Sequence, residues 1–268
     1  MQPLRRPAVA GTFYPEDARA LSLDVTAMLE AAPTCAEAAT VVPKALIVPH
    51  AGYVYSGSTA ALAYARLAPA HATIRRVVLL GPVHRVPVRG LALSNASAFS
   101  TPLGSVPVDQ ESIASLSGLR QVVISPQAHA LEHSLEVQLP FLQSVLDDFT
   151  LVPLAVGDAT SEEVAQVLDV LWGGPETLIV VSSDLSHFLP YGSAQAVDRA
   201  TVQTILDMKP TVSHHQACGG TPINGLLLAA REHRLHPSLL GRCNSGDTGT
   251  DRARVVGYAA FAFLEEKP

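Results

Sequence analysis

The chain has 268 residues, of which 48% are hydrophobic and 16% are charged. This composition excludes an intrinsically disordered protein, because a chain so apolar must bury itself. A chain of this length builds a sizeable core without disulfides or a structural metal. The formal net charge of -6 gives no electrostatic reason to expect nucleic acid or an anionic membrane as a partner.

The sequence shows no targeting or membrane signal. Its N-terminal stretch lacks the apolar segment of a signal peptide, and no apolar run approaches the roughly 18 residues that cross a bilayer. The three cysteines, Cys35, Cys218 and Cys243, are widely spaced and form no CxxC pair, which favours a reducing compartment. We therefore expect a cytoplasmic protein, and we expect residues 1–268 to form a single domain because no repeat or linker divides them.

Strand and helix patterns alternate along the chain. Short β-branched runs bounded by Pro, Gly or Ser predict buried strands at 44–49, 76–81, 121–125, 150–156 and 177–183. Apolar residues at helical spacing predict helices at 58–67, 134–145, 161–171 and 194–208. The run 255–264 has no helix after it, so we expect an antiparallel strand there. The prediction is an α/β fold whose mainly parallel central sheet is flanked by helices.

Polar side chains follow three of these strands directly. His50 follows the first strand, His84 follows the second, and Asp184 and His187 follow the last. In an open parallel sheet, ligands bind outside the carboxyl ends of the strands. A lone histidine after a strand is usually an ordinary loop residue, but three at equivalent positions argue for a shared site. Neutral imidazole is a common metal ligand, so the sequence predicts a metal centre at this edge.

Cys218 precedes an apolar helical pattern at 224–230, with two glycines after it. A cysteine near a helix N-terminus has a lowered pKa and readily supplies a thiolate, although a small buried residue is the usual alternative. Cys35 and Cys243 are interpreted as structural. His133 and Glu136 share one helical face at i, i+3 spacing, so either they line the same site or they only decorate a helix N-terminus.

Other chemistries lack their motifs. The sequence contains no dinucleotide-binding glycine fingerprint after a strand, no P-loop, no nucleophile elbow of the α/β-hydrolases and no HExxH zinc motif. The loop 244–251 is rich in Asp, Ser and Thr but lacks the spacing and the closing glutamate of an EF-hand. These absences leave the strand-end histidines and Cys218 as the strongest chemical signal.

Eight stretches in this order resemble the Memo family, which is called protein B of the AmmeMemoRadiSam system in bacteria and archaea. They run from residue 10 to about residue 260 and are specific as a set. The stretches are AGTFYP (10–15), PHAGYVYSG (49–57), LGPVH (80–84), EHSLEVQLP (132–140), SSDLSH (182–187), CGGTPI (218–223), NSGDT (244–248) and VGYA (256–259).

The resemblance implies a fold similar to that of class III extradiol dioxygenases, which use non-heme iron(II). It implies that His50, His84 and Cys218 hold a metal ion and that His187 is a catalytic acid–base with Asp184 beside it. Tyr53, His133 and Glu136 become candidate pocket residues. In the dioxygenases a carboxylate completes the ligand set, whereas here a thiolate does. The softer ligand favours iron(II) or copper over zinc, and ring cleavage is not implied.

Two functions follow from the resemblance. The first is a dioxygenase-like, metal-dependent oxidoreductase acting on an unknown small-molecule or peptide substrate, with a functional link to radical SAM and AMMECR-like proteins. The second is a non-catalytic metal-carrying or ligand-binding adaptor that uses the same pocket, as animal relatives described as cell-motility adaptors suggest. We expect neither nucleic acid nor membrane as a partner.

Overall fold

The computed structural model describes residues 3–33 and 41–265; Cys35 lies outside them. The described strands are β1 (Leu4–Arg5), β2 (Ala45–Val48), β3 (Arg76–Pro82), β4 (Leu91–Leu93), β5 (Ala98–Thr101), β6 (Gly104–Pro107), β7 (Val122–Ile124), β8 (Thr150–Val156), β9 (Thr177–Ser182), β10 (His187–Leu189), β11 (Leu235–Asn244) and β12 (Val255–Glu265). The described α-helices are α1 (Ala18–Ala31), α2 (Tyr53–Tyr64), α3 (Gln110–Ser115), α4 (Pro126–Ala130), α5 (Leu139–Val145), α6 (Ser161–Leu171), α7 (Tyr191–Leu206), α8 (Gly220–Glu232) and α9 (Ser245–Thr248).

A large sheet organises the described residues. Its strand order is β10-β12-β2-β9-β3-β8-β4-β7, and β11 pairs with β12 at one edge. The centre, β2-β9-β3-β8, is parallel, and β12 joins β2 in antiparallel orientation as predicted. A smaller sheet, β1-β5-β6, contains the first strand of the chain. The predicted mainly parallel α/β fold is confirmed, and all six predicted strands are present.

The sheet is covered by helices on both faces. Along β2, Leu46 and Val48 pack into one core with α1, α2 and α5, whereas Ala45 and Ile47 pack into the other with α6, α7 and α8. This alternation is the two-residue period of a β-strand, and each face is apolar because each is buried. The central strands therefore read as continuous apolar runs.

Most predicted helices are present with shifted bounds. Helix α6 has the predicted limits, and a capping box of Thr160 and Glu163 defines its start. Helix α2 begins five residues before the predicted position, because Gly52 caps it and the aromatic residues that follow enter the helix. The predicted helix at 134–145 is divided into a 3-10 turn, Glu136–Gln138, and α5. Strands β4, β10 and β11 and the smaller sheet were not predicted from the sequence.

Strand order explains why the predicted residues meet. Strands β2, β9 and β3 are direct neighbours and parallel, so their carboxyl ends lie side by side at one edge of the sheet. His50 follows β2, Asp184 follows β9 and His84 follows β3. Among the described residues, no helix is both long and apolar enough to cross a bilayer.

Candidate metal centre

Three imidazole rings meet at this edge of the sheet. The ring centroids of His50 and His84 are 5.3 Å apart, those of His50 and His133 are 5.4 Å apart, and those of His84 and His133 are 4.7 Å apart. One ligand atom from each residue lies within 4.8 Å of the other two, close enough for the three to converge on a metal ion. The third ring comes from the loop after α4, where the sequence left the role of His133 open.

Two glycines let neighbouring loops reach the strand ends. A Cβ on Gly81, in β3, would lie 2.8 Å from Ser134 Oγ, in the loop that carries His133. A Cβ on Gly219 would lie 2.6 Å from Ser183 Cβ, just after β9, and Gly219 follows Cys218. Real Cβ atoms do not approach so closely, so both loops pack at this distance only because glycine stands at these positions.

Hydrogen bonds fix the tautomer of His50. Ser182 Oγ lies 2.6 Å from the Ser134 carbonyl, which can only accept, so the hydroxyl proton is donated there. Gln138 Nε2 donates to the same hydroxyl oxygen at 2.8 Å. His50 Nδ1, also 2.8 Å from this oxygen, must therefore be the protonated nitrogen. The lone pair of His50 is then on Nε2.

A buried carboxylate fixes His84 in the same way. Glu132 Oε1 accepts from His84 Nδ1 at 2.9 Å, and Oε2 accepts from the His84 backbone N–H at 2.6 Å. Burial by itself would raise the pKa of Glu132, but the hydrogen bonds and charge of His84 and the Ser134 N–H outweigh it and lower the pKa to about 2. The carboxylate is ionised, so His84 keeps its proton on Nδ1 and offers Nε2 to a ligand.

Cys218 contacts the same histidine. Its Sγ is 3.3 Å from His50 Nε2, and since that nitrogen carries the lone pair, the thiol donates to it. Burial, followed by the nearby Asp184 carboxylate, raises the pKa of the thiol to about 12. We expected a lowered pKa from the helix N-terminus, and burial reverses that expectation. A bound cation would deprotonate the thiol, because metal-ligating cysteines bind as thiolates.

His187 lies beside this cluster with its own hydrogen bond. Its Nδ1 donates to the Leu185 carbonyl at 2.8 Å, so Nε2 carries the lone pair. Burial lowers the pKa of His187 and favours the neutral ring. The next residue, Phe188, has φ +58°, a left-handed conformation that is strained for an aromatic residue. The chain is thus held in an unfavourable conformation next to a candidate base.

Asp184 hydrogen-bonds the backbone of His50, whereas the His187 ring bonds to Leu185. Asp184 Oδ1 accepts from the His50 backbone N–H at 2.7 Å, which ties the end of β9 to the end of β2. Burial raises the pKa of Asp184 to about 7, and the backbone hydrogen bond from His50 opposes this shift. Asp184 therefore supports the backbone that carries His50.

A cavity of about 730 Å³ adjoins the cluster. His133, Asp184 and His187 contribute polar groups to its lining, and Phe13 and Tyr55 contribute apolar surface. The Phe13 ring meets the His133 ring edge-on, with centroids 4.9 Å apart. The cavity has the size of a ligand pocket and combines apolar walls with a few convergent polar groups.

Two candidate pocket residues lie elsewhere. Tyr53 is buried, donates its hydroxyl to the Val137 carbonyl at 2.7 Å and lines a neighbouring depression. Glu136 is fully buried and pairs with Arg5. The Glu136 carboxylate also accepts from the Ala8 and Val9 backbone N–H groups and from the Tyr14 hydroxyl. It therefore anchors the N-terminal segment and does not face the cavity.

Sequence reasoning missed three residues that hold the rings. Ser182, Gln138 and Glu132 are buried and bind the histidines, directly or through a shared hydroxyl. The sequence contained a hint of their role, because these polar residues lie within or directly after apolar patterns, in the stretches EHSLEVQLP and SSDLSH. Their partners, however, are far away in the sequence and become visible only in the structure.

Comparison with known proteins agrees with this architecture. The family model described as "Memo-like protein" matches residues 5–262. The chain belongs to the Memo family. Proteins named "MEMO1 family protein" from Metallosphaera sedula and Aquifex aeolicus are each 33% identical to it, and one from Archaeoglobus fulgidus is 35% identical. Each alignment covers 97% of this chain and 99% of the relative.

A solved structure shares the fold. The uncharacterised protein JW3007 from Escherichia coli K12 superposes with a TM-score of 0.53, covering 81% of this Memo-family chain and 98% of the other. The two sequences are 14% identical, so this likeness bears on the fold alone.

The first prediction concerns the anchoring role of Glu136. Substitution Glu136→Gln removes the charge partner of buried Arg5 and should lower the free energy of unfolding by about 3–5 kcal/mol in denaturant titrations. The matched control is Glu163→Gln, whose ion pair with Arg89 is on the surface and should leave the free energy of unfolding almost unchanged. Equal losses in both variants would contradict the anchoring role.

Proposed function

We propose that this Memo-family protein is a metal-dependent redox protein whose ion is held by His50, His84 and Cys218. The observation that carries the proposal is the convergence of imidazole lone pairs next to a thiol under an open cavity. His50 and His84 each keep a proton on Nδ1 through a hydrogen bond and offer Nε2. Such outer hydrogen bonds are typical of metal-ligating histidines.

The donor set fits iron(II) or copper better than zinc. Two imidazoles and one thiolate form a soft site with few ligands, which suits a redox ion. Such an ion, when bound, supplies the ability to pass electrons between a substrate and an oxidant. The protein itself would hold the ligands rigid, because Glu132 and Ser182 are fully or almost fully buried and leave the rings little freedom.

His187 is proposed as the group that moves a proton at the substrate. Its Nε2 carries the lone pair, because the Leu185 carbonyl takes the Nδ1 proton. It lines the cavity together with Ala51 and Gly52, in the segment that follows β9. Asp184 assists by fixing the backbone of His50. The substrate would be a small molecule or a peptide end that enters the cavity of about 730 Å³.

The alternative function is a metal-carrying or ligand-binding adaptor without turnover. The exposed apolar side chains of Val54 and Phe188, at 75% and 60% exposure, favour this alternative because they lie near the cavity, where a partner would cover them.

Three further expectations from the sequence remain predictions. They are a single domain over residues 1–268, a cytoplasmic location and a functional link to radical SAM and AMMECR-like proteins.

The second prediction tests the ligands. Protein prepared without oxygen and loaded with copper(I) should retain a single ion per chain after removal of excess metal. His50→Ala and Cys218→Ser should each weaken copper(I) binding by at least about 10- to 100-fold, since loss of outer partners alone costs this much. Competition with a copper(I) chelator measures the affinity. Unchanged affinity in both variants would remove the proposed site.

The third prediction separates the base from the ligands. His187→Gln should retain the metal at wild-type stoichiometry and lose on the order of 10²–10⁴-fold in turnover of a substrate, because it removes a positioned proton-transfer group. Metal analysis and steady-state rates check the two parts. A folded His187→Gln protein that purifies without metal would assign His187 to the ligands.

The fourth prediction separates redox enzyme from adaptor. Exposed to oxygen, the copper(I) form of the wild type should take up oxygen faster than the same concentration of free ion, and Cys218→Ser should lose this advantage. The physical reason is that the thiolate sets the redox behaviour of the ion. Oxygen-electrode traces measure it. Identical traces for wild type, Cys218→Ser and free ion would favour the adaptor.

A further inference from the structure

We infer that the substrate of this site is an organic carboxylate with an apolar body, and that the Arg254 guanidinium binds its carboxylate group at the cavity. This inference rests on the proposed function and deepens it, because it names the class of molecule that enters the cavity beside the metal centre. Three observations carry it: the charge of the cavity lining, the lack of an acidic partner for Arg254, and the conformation of Phe188.

The cavity has one permanent positive charge in its lining. Among the described residues that line it, Arg254 is the only arginine or lysine. A guanidinium stays protonated at every physiological pH and presents its N–H groups as a planar fork. An anionic ligand that enters the cavity therefore meets one fixed cation.

Arg254 has no acidic partner of its own. None of the ion pairs found among the described residues includes its guanidinium. Asp251 also lines the cavity, but its Oδ1 accepts from the Ala253 backbone N–H at 2.8 Å. By contrast, the exposed Arg89 is paired with Glu163. The Arg254 fork is therefore free to bind a carboxylate from outside the chain.

Strand pairing places Arg254 near the group proposed to move a proton. Strands β10 and β12 are antiparallel, with His187 opposite Val256, and Arg254 directly precedes β12. The guanidinium carbon of Arg254 lies 5.1 Å from the centroid of the Phe188 ring, and Phe188 follows His187 in the chain. The fixed cation and the proposed base thus belong to the same strand pair, and both line the cavity.

Phe188 adopts a conformation that its own burial does not reward. Its φ of +58° is left-handed, and its side chain remains 60% exposed, so it gains little from leaving water. The face of an aromatic ring attracts a guanidinium and limits the positions that it samples. The strained, exposed ring is explained if it holds Arg254 in position for a ligand.

The charge balance of the lining favours a carboxylate over a phosphate group. The lining contains two carboxyl groups, those of Asp184 and Asp251, and one guanidinium. A phosphate monoester brings about 1.5 to 2 negative charges, which one guanidinium between two acids does not balance. A carboxylate brings one charge, and its two oxygens match the guanidinium fork with two parallel hydrogen bonds.

The rest of the lining suits an apolar body attached to that carboxylate. The cavity of about 730 Å³ also contains the apolar or aromatic side chains of Phe13, Val54, Tyr55, Val256 and Tyr258. A ligand held by its carboxylate at Arg254 can remove its hydrocarbon part from water against these side chains. The class of substrate is therefore an amphipathic carboxylic acid.

The experiment uses four probes that share one apolar body: 3-phenylpropionate, its neutral amide, 3-phenylpropylamine and 2-phenylethylphosphonate. Their affinities for the full chain without added metal are measured by calorimetry at neutral pH and low salt, because salt screens exposed charges. We expect the wild type to bind 3-phenylpropionate on the order of tenfold more tightly than the amide, and the amine and the phosphonate more weakly than 3-phenylpropionate. No binding of 3-phenylpropionate, or equal or tighter binding of another probe, would overturn the inference.

Three variants of Arg254 and its surroundings identify the cation. Arg254→Gln should weaken 3-phenylpropionate binding by about tenfold and leave amide binding unchanged, because it removes only the charge-assisted hydrogen bonds. Arg254→Lys should restore part of the affinity, because it keeps the charge but not the fork. Phe188→Leu should weaken 3-phenylpropionate binding several-fold, because it removes the aromatic face beneath the guanidinium.

The matched control is Arg120→Gln, which removes an exposed guanidinium next to β7, at the other end of the strand order from β10. It makes the same change in net charge and should bind 3-phenylpropionate as the wild type does. Equal affinities in Arg254→Gln and Arg120→Gln would overturn the role of Arg254. An equal loss of amide and carboxylate binding in Arg254→Gln would also overturn it.

Failure of this inference is distinguishable from failure of the proposed function. If the wild type binds copper(I) but not 3-phenylpropionate, the metal centre stands and the class of substrate is wrong. If the wild type binds 3-phenylpropionate through Arg254 but binds no copper(I), the carboxylate-binding cavity stands and the metal-dependent function is wrong.

Discussion

A neutral imidazole offers a metal ion one lone pair, and it faces the ion correctly only if the other ring nitrogen keeps its proton. In this protein, residues at the carboxyl ends of neighbouring strands determine which ring nitrogen keeps its proton. Ser182, the last residue of β9, donates its hydroxyl proton to the Ser134 carbonyl and so must accept from His50 Nδ1. Because β9 lies between β2 and β3, the same strand order brings His50 and His84 to one edge. The chemistry of the centre depends on this arrangement.

Three buried acids near the site have different roles because they have different partners. Glu132 binds His84 and is ionised, with its pKa lowered to about 2. Glu136 is paired with Arg5 and belongs to the anchor of the N-terminal segment. Asp184 has no cationic partner among its hydrogen bonds, so burial raises its pKa to about 7. Residue type alone does not distinguish these roles; the neighbouring donors do.

The N-terminal segment connects the anchor to the cavity. Glu136 accepts from the backbone of Ala8 and Val9 and from the Tyr14 hydroxyl, so it holds this stretch at three points. Phe13 lies between two of those points, and its carbonyl accepts from the Tyr53 N–H at the start of α2. One wall of the cavity is therefore supplied by residues far from the metal centre in sequence and is stabilised by a carboxylate that never contacts a ligand.

The sequence by itself determined the sheet, its helical layers and the rim residues, because apolar runs report burial directly and parallel strands end at the same edge. It also determined family membership, through eight short stretches. It did not determine strands β4, β10 and β11, which are short or only half buried and carry little periodicity. Only the tertiary structure decided that His133 joins the histidine cluster, that Glu136 and Tyr53 lie outside the cavity, and that Leu185 holds the His187 ring. Each of these depends on hydrogen bonds between residues distant in sequence or between a side chain and the backbone, and local pattern does not encode such contacts.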